Sequence, residues 1–311
     1  MPIRHLGYAC VNMTLGETKP SSNRVFTDRT LRMDGFSIRR ASELALKNAK
    51  DLVRVMEWNA ANDIHFFRVG SGVLPFMDHP DLGYGLSELT DAEAIGFALG
   101  RAGKIARDNG IRLSMHPGPY TCLGSPSDDV VSKSVKCLLM HSIIGDLLGT
   151  DADFAINIHM GGTYGDKPST ARRWIKAYVS LPDPVRCRIT LENDDKASMW
   201  SIRDLMEVYD GCGVPIVIDT HHHSLHNGGD ELTEAASMAF STWSTHRIPK
   251  IHYSESRPDA MPQAHSDWVM KRIPELCHDR QYDVMIEAKM KEKALMRYRS
   301  TVPASSSLQG V

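Results

Sequence analysis

The stretch "PIVIDTHHHSL", residues 215–225, decides the fold. A short apolar run, Ile216 to Ile218, ends on Asp219, and three consecutive histidines follow. An apolar run of this length bounded by a proline and a polar cluster reads as a buried strand. Its end therefore delivers a carboxylate and several imidazoles to one side of a sheet.

Seven other runs share this design. They are "IRHLGYAC" (3–10), "IHFFRVG" (64–70), "IRLSMHP" (111–117), "FAINIHM" (154–160), "CRITLEN" (187–193), "KIHYSE" (250–255) and "DVMIEA" (283–288). With 215–220 they make eight strands. Between them lie segments of helical length and period, among them "IRRASELALKNAKDLVRVMEWNAAN" and "DDVVSKSVKCLLMHSIIGDLLG". The second carries Asp128 and Asp129 near its start and is predicted to present Val131, Val135, Leu138 and Leu139 on one face. Strand and helix alternating eight times predict an α/β chain folded as a single (β/α)8 TIM barrel over residues 1–299. A doubly wound open sheet is the alternative, but it usually has fewer strands and often a glycine-rich first turn, which is absent after "GYAC". The polar tail 300–311, "STVPASSSLQGV", is expected to be disordered.

The formal net charge is −2, so a nucleic-acid ligand would have to be held by a local basic surface or by bound cations. Two stretches are locally basic: residues 19–40, with Lys19, Arg24, Arg29, Arg32, Arg39 and Arg40, and residues 289–299, with Lys289, Lys291, Lys293, Arg297 and Arg299. Taken alone, both read as solvated surface. No apolar run is long enough to cross a bilayer and "MPIRHLGYAC" lacks the features of a signal peptide, so a cytoplasmic protein is expected. The six cysteines are scattered without a C-x-x-C pair, which predicts buried, reduced thiols.

In such barrels the chemistry sits at the C-terminal mouth. The polar residues at the eight strand ends are Tyr8, Arg68, His116, His159, Glu192, Asp219, His252 and Glu287. Six of the eight are histidines or carboxylates. Converging buried carboxylates repel one another, and divalent cations neutralise them most simply. Mixed imidazole and carboxylate ligands suit zinc, manganese or iron rather than calcium, and so many ligands call for two or three ions. Asp219 falls inside the ring, and one of His221, His222 and His223 can swing back to join it. His5, His65, His141, His226, His246 and His278 read as hydrogen-bonding side chains away from the ring. His265, after the seventh strand, is in reach of the mouth, but position alone does not decide its role. Lys250 shares the inward face with His252, where its ammonium is costly unless paired with a carboxylate, neutralised or modified.

Taken together, "GYACVN", "FFRVGSGVLPFMDHP", "SMHPGPY", "IHMGGTYGDK", "TLENDD", "VIDTHHH", "KIHYSE", "AHSD" and "MIEAKMKEKAL" resemble the UV damage endonuclease family (UvdE), in the same order and across residues 3–296. The resemblance implies a barrel related to endonuclease IV, holding up to three metal ions, usually manganese. It implies nicking of duplex DNA immediately 5′ of ultraviolet photoproducts, both cyclobutane dimers and 6-4 photoproducts. It assigns metal ligation to His116, His159, Glu192, Asp219, His222, His252, His265 and Glu287, and so selects His222 from the triplet. Glu192, Lys250 and His79 are implied as catalytic, with Lys250 able to carry a carboxylate on its amine. Tyr8, Asn12, Pro119 and Tyr120 are implied to contact DNA or the lesion.

One departure stands out. The family's damage probe resembles "HPGQY", whereas this chain reads "HPGPY", so Pro119 has no side-chain amide and would act as an apolar wedge beside Tyr120. Damaged dinucleotides stack poorly and cost less to extrude than normal bases. Basic residues of 19–40 and of "AKMKEK" would hold backbone phosphates. The expected products are a 3′-hydroxyl and a 5′-phosphate, with Glu192 bridging ions and His116 and His159 sharing one with it. A monomer, nucleoid-associated through its DNA substrate, is the default. A sugar isomerase is the enzymatic rival, but it would need only one or two ions and a polyol pocket. A non-catalytic damage-binding protein is the other, but it would not need so many ligands.

Overall fold

The computed structural model describes residues 2–15, 23–26, 35–79, 82–277 and 279–301. The eight expected strands are present: β1 (Ile3–Ala9), β2 (Phe66–Val69), β3 (Arg112–Met115), β4 (Ala155–His159), β5 (Ile189–Glu192), β6 (Ile216–Val217), β7 (Lys250–Tyr253) and β8 (Tyr282–Ile286). They form one parallel sheet in the order β6-β5-β4-β3-β2-β1-β8-β7. A parallel bridge between Asp219 and His252, with His252 N–H donating to Ile218 C=O at 3.0 Å, joins the ends and closes the barrel. The (β/α)8 prediction holds.

The helices are α1 (Ile38–Ala61), α2 (Ala92–Asp108), α3 (Asp128–Leu147), α4 (Lys167–Val179), α5 (Asp183–Arg186), α6 (Ile202–Cys212), α7 (Thr220–Leu225), α8 (Leu232–Ser241) and α9 (Lys291–Thr301). Their starts are written locally. Ser37 and Asp166 accept N–H bonds at the starts of α1 and α4, and Ser201 with Asp204 forms a capping box on α6. Gly213, at φ 71°, ends α6 in the left-handed conformation that only glycine adopts at no steric cost.

Alternation along the strands separates two layers. Outward residues such as Phe67, Leu113, Ile156, Leu191 and Val284 pack with Leu52, Met56, Leu99, Trp174 and Leu205 of the helices into the main core. Inside the barrel the apolar content shrinks to a small cluster of Ala9, Phe66 and Met285. Many of the other inward residues are polar and buried, among them Arg112, Ser114, Asn157, Thr190, Lys250 and Asp283. At the floor, the Asp283 carboxylate accepts from Arg4 at 2.6 and 2.9 Å and from Arg112 at 2.9 Å.

Three expectations need correction. Leu139 is 37% exposed, and the buried side of α3 runs through Ser134, Leu138, His141 and Gly145, because the helix turns a polar and small-residue stripe inward as well as an apolar one. The cysteines are free thiols, but Cys187 is exposed and the other five are half-buried. The last helix continues to Thr301, two residues past the expected boundary, and the remaining tail 302–311 lies outside the described residues.

Candidate metal centre

Glu192, at the end of β5, is the hub of the mouth, and it is 1% exposed. Its Oε2 lies 3.1 Å from His116 Nε2 and 3.8 Å from His159 Nε2, and it accepts a hydrogen bond from Asn157 Nδ2. Its Oε1 lies 3.0 Å from His252 Nδ1 and 3.7 Å from His222 Nδ1. Burial alone would raise this carboxyl's pKa, but His252, His159 and His116 outweigh it and hold the group ionised, well below the usual carboxylate range.

Asp219 enters next to it because the chain leaves the two-residue β6 directly into α7. The aspartate is the N-cap, and its Oδ1 accepts the N–H groups of His221 and His222 at 2.7 and 2.9 Å. The first turn of α7 then carries the His222 ring back over the barrel. Of the other two histidines, His221 hydrogen-bonds the backbone of Gln263 and stands edge-on to His265 at 5.5 Å, while His223 turns to the backbone of Asp230. On the far side, Glu287 accepts from Arg68 through Oε1, which also lies 3.2 Å from His252 Nδ1; Glu287 Oε2 is 3.8 Å from His265 Nδ1. Burial raises the Glu287 carboxyl, but Arg68 and His252 reverse this and hold it low.

Among the described residues, there are three groups of donor atoms whose members lie within 4.8 Å of one another, and each group could hold a cation: His116, His159 and Glu192; Glu192, Asp219 and His222; Asp219, His252 and Glu287. Glu192 and Asp219 each belong to two of them, so the groups form a chain. Asp219 Oδ2 is buried and has no hydrogen-bond partner, a cost that a cation would remove. Nitrogen and oxygen donors in this mixture fit transition-series divalent ions. The residues present therefore fit a multinuclear metal centre. His265 stands at its edge.

Groups behind these donors fix them in place. Asp194 Oδ1 lies 3.2 Å from His159 Nδ1. Burial disfavours the His159 cation, yet Glu192 and Asp194 push its pKa up to about 9. Burial lowers the His116 pKa to about 4, leaving a neutral ring. Thr190 Oγ1 donates to Asn157 Oδ1 at 2.8 Å and so aims the amide N–H at Glu192. Lys250 is 1% exposed, with Nζ 3.1 Å from His252 Nε2, as inward placement requires. Burial above all, with Arg112 and Arg68 adding to it, lowers its pKa to about 7. Asp194 and Asn157 were missed from sequence, although each stands two residues from a strand-end donor and so shares its face.

The other expected site residues divide. Pro119 and Tyr120 lie on an exposed loop just after His116, and Tyr120 is 90% exposed. With His79, Phe76 and Cys137 they line a cavity of about 520 Å³; His79 Nδ1 accepts the Leu82 N–H at 3.1 Å. Tyr8 and Asn12 do not face the mouth. Both are fully buried, Tyr8 OH donates to Asn59 Oδ1 at 2.7 Å, and Asn12 Nδ2 donates to Tyr8 OH at 2.9 Å. The reason is parity: Ala9 is the inward residue of β1, so Tyr8 points outward against Phe67 and α1. Asn12 Oδ1 accepts from Thr14 and Leu15 N–H, shaping the turn after β1.

Histidines expected away from the ring are found there. His65 faces Asn109 C=O, His141 faces Cys137 C=O, His226 faces Lys196 C=O, His5 packs against His65, and His246 is exposed; His278 lies outside the described residues. Much of the basic sequence is committed to structure. Arg24 pairs with Asp51, Arg39 and Arg40 with Glu43, Arg297 stacks on Trp268, and Arg299 caps Asn62 and Asp63 carbonyls. Lys289 and Lys293 are exposed beside the mouth, and Lys19, Arg29 and Arg32 lie outside the described residues.

Known proteins resemble the chain in sequence and in fold. The chain is 38% identical over 312 residues to the UV-damage endonuclease of Schizosaccharomyces pombe, covering 93% of this chain and 49% of that protein. It spans about half the length of the curated fungal relatives it matches. The crystal structure of SacUVDE superposes with a TM-score of 0.82 at 27% identity, covering 96% of this chain and 99% of that one. Endonuclease IV from Thermus thermophilus, at 14% identity and a TM-score of 0.60 over 96% of this chain and 98% of that one, shares the fold. The family model for UV-endonuclease UvdE matches residues 4–309, and the chain belongs to that family.

Proposed function

We propose that this chain is a metal-dependent endonuclease that incises duplex DNA beside ultraviolet photoproducts. The observation that carries the reading is the chain of three donor groups at the barrel mouth, linked through Glu192 and Asp219. Relatives named UV-damage endonuclease support the choice of substrate. The metal we assign is manganese, up to three ions, held by His116, His159, Glu192, Asp219, His222, His252, His265 and Glu287. When bound, such ions supply an activated water at neutral pH and charge stabilisation for a leaving oxygen.

The protein's own contribution is placement. Glu192 is kept ionised by its imidazoles, so it offers both oxygens at once. His116 is kept neutral, with Nε2 toward Glu192 and Nδ1 toward Pro117 C=O. Lys250, buried under His252 with a pKa near neutrality, is an amine that can carry a carboxylate and so become an acceptor. The exposed Pro119–Tyr120 tip enters the duplex as an apolar and aromatic wedge, with His79 behind it. Lys289 and Lys293 meet backbone phosphates. Cleavage falls 5′ of the lesion and leaves a 3′-hydroxyl and a 5′-phosphate.

The test is incubation with ultraviolet-irradiated supercoiled plasmid and manganese. Nicking that depends on irradiation and is abolished by chelation is expected. Binding without nicking would mean a damage sensor instead, and the absence of both binding and nicking would return the site to sugar chemistry.

A further inference from the structure

Arg68 closes the second strand inside the ring, and its pairing with Glu287 uses only part of its guanidinium. Its side chain is 13% exposed. Nη1 donates to Glu287 Oε1, the oxygen that also faces His252 Nδ1 at 3.2 Å. Nε is buried with no hydrogen-bond partner, and Nη2 makes no hydrogen bond among the described residues. The guanidinium is thus only partly used, in a place where an unused donor is costly.

Its position is also electrostatically odd. Its guanidinium is paired to Glu287, a member of one of the donor groups at the mouth. A permanent cation beside a chain of cation sites works against loading them. Counter-charge does not explain it either: Glu192, Asp219 and Glu287 carry three negative charges, and two divalent ions already exceed that. What the loaded site lacks is an anion. A phosphodiester has two non-bridging oxygens, and a planar guanidinium offers paired donors that suit such oxyanions better than an ammonium does.

We propose that Arg68 is a catalytic residue that contacts a non-bridging oxygen of the scissile phosphate through Nη2 while Nη1 stays on Glu287. The inference rests on the endonuclease reading above. In the reaction, a water oxygen bonds to phosphorus and the P–O3′ bond breaks. The bonding pair leaves on O3′, which takes a proton to become the 3′-hydroxyl and so balances the proton the water gives up; the phosphate stays on O5′ of the downstream nucleotide as its 5′-phosphate. Arg68 transfers nothing; it holds the charge that builds on the phosphoryl oxygens.

The experiment compares the whole manganese-loaded chain with Arg68→Met and Arg68→Lys on a duplex carrying one cyclobutane dimer. Manganese equivalents, KM and kcat are measured, and cleavage of the Rp and Sp phosphorothioates at the scissile linkage is compared. We expect unchanged manganese, KM within about threefold and kcat lower by about 10²–10³-fold in Arg68→Met. We also expect partial recovery in Arg68→Lys, and a thio effect at one diastereomer that is smaller in the methionine variant than in the parent. Should Arg68→Met fold poorly, Arg68→Lys decides, with at least a tenfold loss of kcat at full manganese content. Loss of manganese in step with activity would make Arg68 a support for Glu287 and overturn the proposal, as would an unchanged kcat. A parent protein that fails to nick would instead sink the endonuclease reading, and the proposal with it.

Discussion

Glu192 answers to five side chains at once, and its substitution should separate chemistry from binding. Glu192→Ala and Glu287→Ala are each expected to abolish nicking and reduce manganese content, while a mobility-shift assay still detects binding to irradiated duplex. Nicking retained by both would refute the site. Tyr8 makes the opposite prediction. Because its hydroxyl is buried between Asn59 and Asn12, Tyr8→Phe should cost about 1 kcal/mol of stability in urea titration and leave KM for DNA unchanged. A raised KM at unaltered stability would restore Tyr8 to the DNA surface. At this scale the sequence was readable wherever a polar residue ended an apolar run, as at His159, Glu192 and His252. It misled at Tyr8, where one position of parity sends the side chain to the opposite face. Asp194 escaped because a carboxylate in a loop looks like any solvated acid until its histidine is seen beside it.

Among the elements, α6 makes the clearest energetic test. Ser201 and Asp204 cap each other's backbone, and Lys167 bonds Asp204 at 2.8 Å. Ser201→Ala should destabilise the protein by about 1 kcal/mol. Burial alone would raise the Asp204 pKa, but Lys167 and Ser201 outweigh it and depress the folded value. Its stabilisation is therefore complete above the ordinary aspartate range and lost as pH falls through the lower folded value. The stability difference between the parent and Asp204→Asn in urea titrations should be full above the ordinary aspartate range and shrink as pH falls below it; a constant difference would exclude this ionisation. Element existence was legible from apolar runs, but their ends were less so. The run 215–220 looked like a six-residue strand, yet its regular part is only Ile216 and Val217, with an isolated bridge from Asp219 to His252, since Asp219 already caps α7. The inward face of α3 is carried partly by Ser134, His141 and Gly145, which apolar periodicity does not mark.

For the molecule as a whole, stability resides in the outer shell, while the barrel interior is mostly polar and held by pairings such as Arg112 with Asp283. The mouth adds several buried charges whose mutual neutralisation is incomplete without cations. Chelation should therefore lower the Tm, and manganese restored to about 100 times its Kd should return about 2.7 kcal/mol. Thermal scans with and without chelator measure this, and an unchanged Tm would argue against a loaded centre. The barrel itself was legible because its alternation repeats eight times, giving one chance after another to see the same pattern. The limit was surface charge, since helix capping and stacking draw on the same arginines that a DNA surface would use.

The N-cap role of Asp219 has one more consequence. With Oδ1 occupied by two backbone N–H groups, this aspartate can lend a cation only its second oxygen. Monodentate carboxylates suit small ions of low coordination number and handicap calcium, which gathers six to eight oxygens and favours bidentate grips. A helix start thus filters which metal can settle, so ion selectivity in this centre is written partly in backbone rather than in the choice of ligand.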